Sequence, residues 1–236
     1  KFVGVSVNSW VSGCEDRIQF GLKLLSWYDS NKRSTAWRDT GDPYHIWVSE
    51  IMLQQTRVDQ MESYFTRFIN FFPTIEDLAS AEEDKVLKVW EGLGYYSRAR
   101  NMLKTAREVV TKFNGKIPET YDQLLDLPGI GPYTAAAISS IAYGHGNAVL
   151  DGNVVRVLSR LFKISSDPGK TTIKAEMMEI AKKLLVSERP GDFNQAIMEL
   201  GACVCTPKTP QCNVCAVSSK CRAYIELDDP TILPKK

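Results

Sequence analysis

Leu127-Pro128-Gly129-Ile130-Gly131-Pro132-Tyr133-Thr134 joins two stretches of helical apolar spacing, the second rich in alanine. The layout is that of a helix-hairpin-helix. Two glycines one residue apart let the backbone turn tightly and bring N–H groups to the start of the next helix, where the helix dipole favours an anion. A DNA phosphate is the natural ligand for such a turn. The plainer reading is an ordinary helix-to-helix connection, since Gly-x-Gly is common, and the surrounding chain has to decide between them.

Outward from the hairpin the apolar residues keep recurring at three and four, as in Leu124, Leu125 and Leu127 or Val154, Val157, Leu158 and Leu161. Clean alternation over a strand length is absent, so an all-α fold is expected. Asp42 before Pro43, Ser80 three before Glu83 and Thr120 three before Gln123 read as helix starts. Gly92 and Gly94, Asn114-Gly115 and Gly144 to Gly146 read as stops. No internal repeat, low-complexity tract or long linker divides the chain; only Asp228 to Lys236 has the look of a linker's beginning.

The 236 residues are 44% hydrophobic, enough for one large or two small cores without staples. With 29 basic against 28 acidic residues the net charge is +1, which excludes a polycation and makes any nucleic-acid surface local. No run of eighteen apolar residues occurs and Lys1 to Gly13 lacks a signal-peptide layout. A soluble, intracellular, membrane-free protein is expected. The first residue is Lys, so a fragment or processed chain is implied, and Lys1 to Glu15 carry no readable function.

Cys205, Cys212, Cys215 and Cys221 place four thiols within seventeen positions. That clustering indicates a metal site over scattered disulfides. Spacing alone leaves tetrahedral zinc and a cubane cluster both open, since each accepts four thiolates. Lys208, Lys220 and Arg222 flank these cysteines and could face a phosphate backbone; a solvated loop is the plainer reading.

Two carboxylates stand in unusual settings. Glu50 is one acid inside the apolar Ile46-Trp47-Val48-Ser49-Glu50-Ile51-Met52-Leu53, where burial would keep it protonated and fit it as a general acid. Asp151 opens Asp151-Gly152-Asn153-Val154-Val155-Arg156 just ahead of a helix, where a simple N-cap explains it equally well. In Gly92-Leu93-Gly94-Tyr95-Tyr96-Ser97-Arg98-Ala99-Arg100, aromatics beside cations suit stacking on bases and phosphate binding.

In this order, across Leu22 to Leu233, these stretches resemble the endonuclease III superfamily of helix-hairpin-helix DNA glycosylases. Within it, Trp37-Arg38, the run from Val48 to Thr56, Gly92 to Asn101, the hairpin, Asp151 to Leu158 and the cysteine array resemble the MutY-type adenine glycosylases. The resemblance implies two helical domains with a DNA-binding groove between them. One is a six-helix barrel domain over residues 43–150; the other, holding the cluster, takes 1–42 with 151–236. It implies a [4Fe-4S] cofactor on Cys205, Cys212, Cys215 and Cys221, and a monomer acting on double-stranded DNA that contains a mispaired adenine. Glu50 would protonate the departing adenine and Asp151 would stabilise the cationic sugar or trap it covalently, with Tyr133 and Asn153 orienting Asp151 and the sugar. Trp37, Arg38, Gln54, Gln55, Tyr96, Arg98, Gly129 and Gly131 are the expected DNA contacts. Gln55 and Tyr96 would fill the gap left by the flipped base.

Bifunctional members of that superfamily carry a lysine where this chain has Tyr133, so the resemblance implies a monofunctional enzyme that leaves an abasic site. Its thymine glycosylases usually have basic residues in place of Gln54-Gln55, which favours adenine. A thymine or uracil mismatch glycosylase, and a non-catalytic DNA-binding homologue, remain as alternatives. Full-length MutY proteins continue into a Nudix-like domain that recognises 8-oxoguanine. This chain stops at Leu233-Pro234-Lys235-Lys236, which implies either a catalytic core cut before that domain or a member lacking it. Ala36, where proline is common before Trp37, is a minor departure.

Overall fold

The computed structural model describes residues 13–38, 40–54 and 58–235. Its secondary structure is helical, with no strand among the described residues. The helices are α1 (Cys14–Asn31), α2 (Pro43–Leu53), α3 (Val58–Phe71), α4 (Ile75–Ser80), α5 (Glu83–Val89), α6 (Ser97–Phe113), α7 (Tyr121–Leu125), α8 (Pro132–Tyr143), α9 (Gly152–Leu161), α10 (Thr171–Leu184), α11 (Pro190–Cys203) and α12 (Arg222–Glu226). No helix among the described residues is long and apolar enough to cross a membrane.

The chain divides into two compact units: Lys1–Lys32 with Gly146–Lys236, and Arg33–His145. Both crossings come earlier than residues 42 and 150. Among the described residues the Arg33–His145 unit contains α2 to α8, of which α4 and α7 are only six and five residues long. Their core is aromatic at its centre: Trp47, Phe68, Phe72 and Trp90 are essentially sealed from solvent. Phe68 meets the rings of Phe72 and Trp90 edge-on at 5.0 and 6.0 Å. α2 packs on both α3 and α8, and so carries buried side chains along its whole length, from Tyr44 to Met52.

Local chemistry sets several of the helix ends. Asp42 accepts from the Tyr44 N–H at 2.8 Å with Pro43 in the first turn, and Thr120 caps α7 through the Gln123 N–H. Ser80 is the exception. Its hydroxyl donates to the Asp77 carbonyl and closes α4, while Glu82 takes the N-cap place of α5. The signal that sequence reading passes over is Thr74 with Asp77, a reciprocal capping box that starts α4. Asn114 ends α6 in the left-handed region at φ 52°, which asparagine tolerates better than most side chains.

In the other unit α9 packs against α11, with α10 and α12 beside it, and α11 packs in turn on α1. Val154, Val157, Leu158 and Leu161 of α9 are buried, as are Phe20 and Leu24 of α1 and Phe193, Ile197 and Leu200 of α11. α9 and α11 approach closely at Gly201, where a Cβ would come 2.7 Å from that of Asn153. A side chain there would push Asn153 away from its partners, so the close approach fixes a residue of the candidate site.

Candidate active site and cysteine loop

In the Arg33–His145 unit the hairpin turns at Gly129, whose φ of +76° a side chain would strain. A Cβ on Gly129 would also sit 2.7 Å from that of Asn101 on α6. The Thr105 hydroxyl, from the same helix, donates to the Pro128 carbonyl at 2.6 Å and ties the turn down. Gly131 is the N-cap of α8, and both glycines are exposed, so the backbone of the turn is open to a partner. Two residues past that cap, the Tyr133 hydroxyl donates to Oε2 of Glu50 at 2.9 Å. Glu50 is 6% exposed, held by its place in the middle of α2. The hairpin helix therefore orients a buried acid. Gln54, at the C-cap of α2, reaches the Thr134 hydroxyl of the same helix at 3.4 Å. Gln55 lies outside the described residues.

Two expected DNA contacts are placed differently. Trp37 is 5% exposed, its ring edge-on to Phe65 at 5.4 Å, so it is a core side chain. Arg98 points inward: NH1 donates to the carbonyls of Ile51 and Gln54 at 3.0 and 2.6 Å, and NH2 to that of Leu93 at 3.0 Å. The guanidinium thus closes the C-terminus of α2, where carbonyls lack helical partners and the dipole favours a cation. Burial lowers its pKa, partly opposed by Tyr95. Arg38 is half-buried and donates to the Arg33 carbonyl at 3.0 Å.

Arg98→Ala is accordingly expected to cost about 2–4 kcal/mol of folding stability by stranding those carbonyls. Denaturant melts check this; unchanged stability with weakened DNA binding alone would return the guanidinium to the DNA.

The turn before α6 presents rings. Tyr95 is 64% exposed at φ 46°, while Tyr96, the N-cap of α6, is 39% exposed. Arg98 lies 5.5 Å from the Tyr95 ring centre and 5.3 Å from that of Trp90, bracing the loop from within. Sequence reading favours Tyr96; the more projecting ring is Tyr95. The signal that the tip falls there is the pair Gly92 and Gly94, both at positive φ just ahead of it.

In the other unit Asp151 caps α9, accepting from the Val154 N–H at 2.7 Å through Oδ1. Its Oδ2 accepts from Nδ2 of Asn153 at 2.9 Å. Oδ1 of Asn153 in turn accepts from NH2 of Arg156 at 2.9 Å, so the amide cannot turn over. Arg156 is itself fixed, donating to the carbonyls of Gly201 and Cys205 at 2.7 and 2.8 Å. Burial raises the pKa of Asp151, opposed by the hydrogen bonds from Val154 and Asn153 and by the Arg156 charge. In the sequence Arg156 closes the motif without a role; only its spacing of three from Asn153 on a helix face hints at one.

The four cysteines ring one cavity whose wall includes Val204, Pro210, Pro230 and Arg160. Burial pushes the Cys215 and Cys221 thiols up to about 11, and Cys212 is raised as well. Among the described residues no three His, Cys, Asp or Glu side chains converge closely enough for a single metal ion. Of the flanking cations, Lys220 pairs with Asp16 and Arg222 with Glu226, while Lys208 is exposed.

The profile described as HhH-GPD superfamily base excision DNA repair protein matches residues 48–183. The chain is 47% identical to the adenine DNA glycosylase of Homo sapiens, over 91% of this chain and 41% of that protein. It is 40% identical to the one of Schizosaccharomyces pombe, over 88% of this chain and 50% of that protein. It therefore spans half or less of the length of these relatives. Among solved structures, a thermostable thymine-DNA glycosylase superposes with a TM-score of 0.77 at 29% identity, covering 89% of this chain and 96% of that one. An endonuclease III–DNA complex superposes at 0.72 and 21% identity, over 89% of this chain and 96% of that one, a likeness of fold.

Proposed function

The chain belongs to the HhH-GPD superfamily of base excision DNA repair proteins, and from that premise we propose that it is a monofunctional adenine DNA glycosylase. Its substrate would be adenine opposite guanine or 8-oxoguanine in duplex DNA, and its product an abasic site in an unbroken strand. One observation carries the reading: buried Glu50 hydrogen-bonded by Tyr133 at the start of the hairpin helix. A tyrosine there supplies no amine for a Schiff base, so water is left as the acceptor of the sugar.

Breaking the N-glycosidic bond leaves positive charge on the sugar and negative charge on the base, the problem glycosidases meet with two carboxyl groups. Glu50 donates a proton to adenine N7 as the base departs, with Tyr133 fixing its carboxyl. Asp151 stabilises the cationic sugar before water attacks, with Asn153 and Arg156 fixing its rotamer. The base must first leave the stack, at a cost of about a few kcal/mol. Tyr95, the more projecting ring, is the better wedge to fill the gap, Gln54, Gln55 and Tyr96 are further proposed DNA contacts, and the open backbone at Gly129 and Gly131 meets a phosphate.

Cys205, Cys212, Cys215 and Cys221 would hold a [4Fe-4S] cluster. Four thiols lining one cavity supply the donor set that a cubane takes. When bound, the cluster clamps the loop between Cys205 and Cys221. A monomer working inside the cell on DNA completes the proposal.

Duplexes carrying A opposite G, A opposite 8-oxoguanine, A opposite T and T opposite G, incubated with the protein and then cleaved with alkali, test it. Alkali-labile product from the first two alone is expected, with no nick before alkali. Release from T opposite G would move the protein to the thymine glycosylases, and binding without release would make it a non-catalytic homologue.

A further inference from the structure

Arg160, on α9, is a buried cation without a carboxylate on its hydrogen bonds. It is 2% exposed. Nε donates to the carbonyls of Pro230 and Leu233 at 3.1 and 3.0 Å, NH2 to that of Pro207 at 2.9 Å, and NH1 to that of Thr206 at 2.7 Å. NH1 also reaches Sγ of Cys205 at 3.3 Å. The four carbonyls are neutral acceptors. The guanidinium is felt by Arg156, a second cation on the same helix, and by Asp229, whose carboxylate is exposed and engaged by the Thr231 N–H and hydroxyl at 2.8 Å each.

A buried charge is expected to be paired, because leaving water costs several kcal/mol that neutral carbonyls recover only in part. Carbonyls alone would suffice to staple the loop at Thr206 and Pro207 to the segment at Pro230 and Leu233, and a neutral donor would do that work without the desolvation cost. The charge asks for an anion at the cavity that Arg160 lines together with the four cysteines. Four thiolates around a [4Fe-4S] core in its 2+ state carry a net charge of −2 and supply one.

We infer that Arg160 is the buried counter-ion of the cluster, donating an N–H to the sulfur of Cys205 and setting the reduction potential; this rests on the cluster reading above. Hydrogen bonds to the sulfurs, net charge and burial are the protein's means of moving such potentials. A fixed positive charge and an N–H donor both favour the more negative, reduced state.

The test uses anaerobically purified whole protein and follows iron content, helical circular dichroism and redox titration. In Arg160→Gln that retains its iron, the reduced-to-oxidised ratio at the parental midpoint should fall about tenfold, equivalent to about 59 mV for a one-electron couple. Arg160→Lys, which keeps the charge, should stay within about threefold. A Gln variant within twofold of the parent overturns the inference, as does a Lys variant that shifts as far as Gln. The parent labelled with 15N in the guanidino group covers the case of variants that do not fold. Hyperfine coupling from that nitrogen to the reduced cluster is expected, and its absence overturns the inference. Parent protein without about four irons per chain removes the cluster itself, a failure distinct from an iron-loaded protein indifferent to Arg160.

Discussion

Glu50→Gln is expected to bind mispaired duplex like the parent and to lose excision by about 10²–10⁴-fold, the range a positioned general acid contributes. The amide has the shape of the carboxyl and can still accept the Tyr133 hydroxyl, so the bond at 2.9 Å survives. Its place within α2, at 6% exposure between buried neighbours on both sides, leaves the helix no reason to move. What the substitution removes is the proton that adenine N7 must receive. Single-turnover excision on A opposite 8-oxoguanine, with affinity measured on the same duplex, separates the two effects. Loss of binding in step with loss of excision would make Glu50 a contact residue, and excision within tenfold of the parent would remove it from the chemistry. Tyr133→Phe should fall between, since it removes the hydroxyl's hold on the carboxyl without taking its proton.

The helical fold and the hairpin are legible in the sequence because both are local. Apolar spacing gives the helices, and Gly-x-Gly ahead of Pro132 marks a backbone turn that glycine makes cheaply. Glu50 stands out because a carboxyl in an apolar run is costly to bury unless it is hydrogen-bonded or paired. Arg98 misleads for the same local reason: a cation among tyrosines looks like a phosphate contact, and nothing nearby in sequence says that the C-terminus of α2, more than forty residues earlier, lacks a cap. Trp37 misleads because an indole in a short loop can face either way, and only Phe65 from α3 decides. Ser80 fails by two residues, for a serine at a helix junction serves the end of one helix as readily as the start of the next. Arg156 needs the carbonyls of Gly201 and Cys205, forty-five and forty-nine residues away, before its hold on Asn153 has a meaning.

Asp151→Asn should lose excision by about 10²–10³-fold, on the scale of removing one preorganised electrostatic partner of a transition state, while its melting temperature stays near that of the parent. The two halves of that expectation have separate causes. Asparagine caps a helix as well as aspartate, so the Val154 N–H keeps its acceptor. Burial raises the pKa of Asp151 in the folded protein, which makes the ionised form a cost to stability. That cost is absent below the unfolded pKa of about 3.9 and grows as pH rises through the higher folded value. Removing the charge therefore stabilises at neutral pH. Against it, the new Nδ2 at position 151 faces Nδ2 of Asn153, which cannot turn over because Arg156 holds its Oδ1 at 2.9 Å. A donor against a donor costs about 1 kcal/mol, enough to offset much of the gain. Relative to the parent, the variant should become more stable as pH is raised from 4 to 7, and the parent's excision should fall on acidification at a pH above that of an ordinary aspartate. A variant that melts early and excises in proportion to its folded fraction would make Asp151 a helix cap and nothing more. A stable, fully folded and inactive one places the carboxylate charge in the reaction, with Asn153 and Arg156 as the residues that aim it.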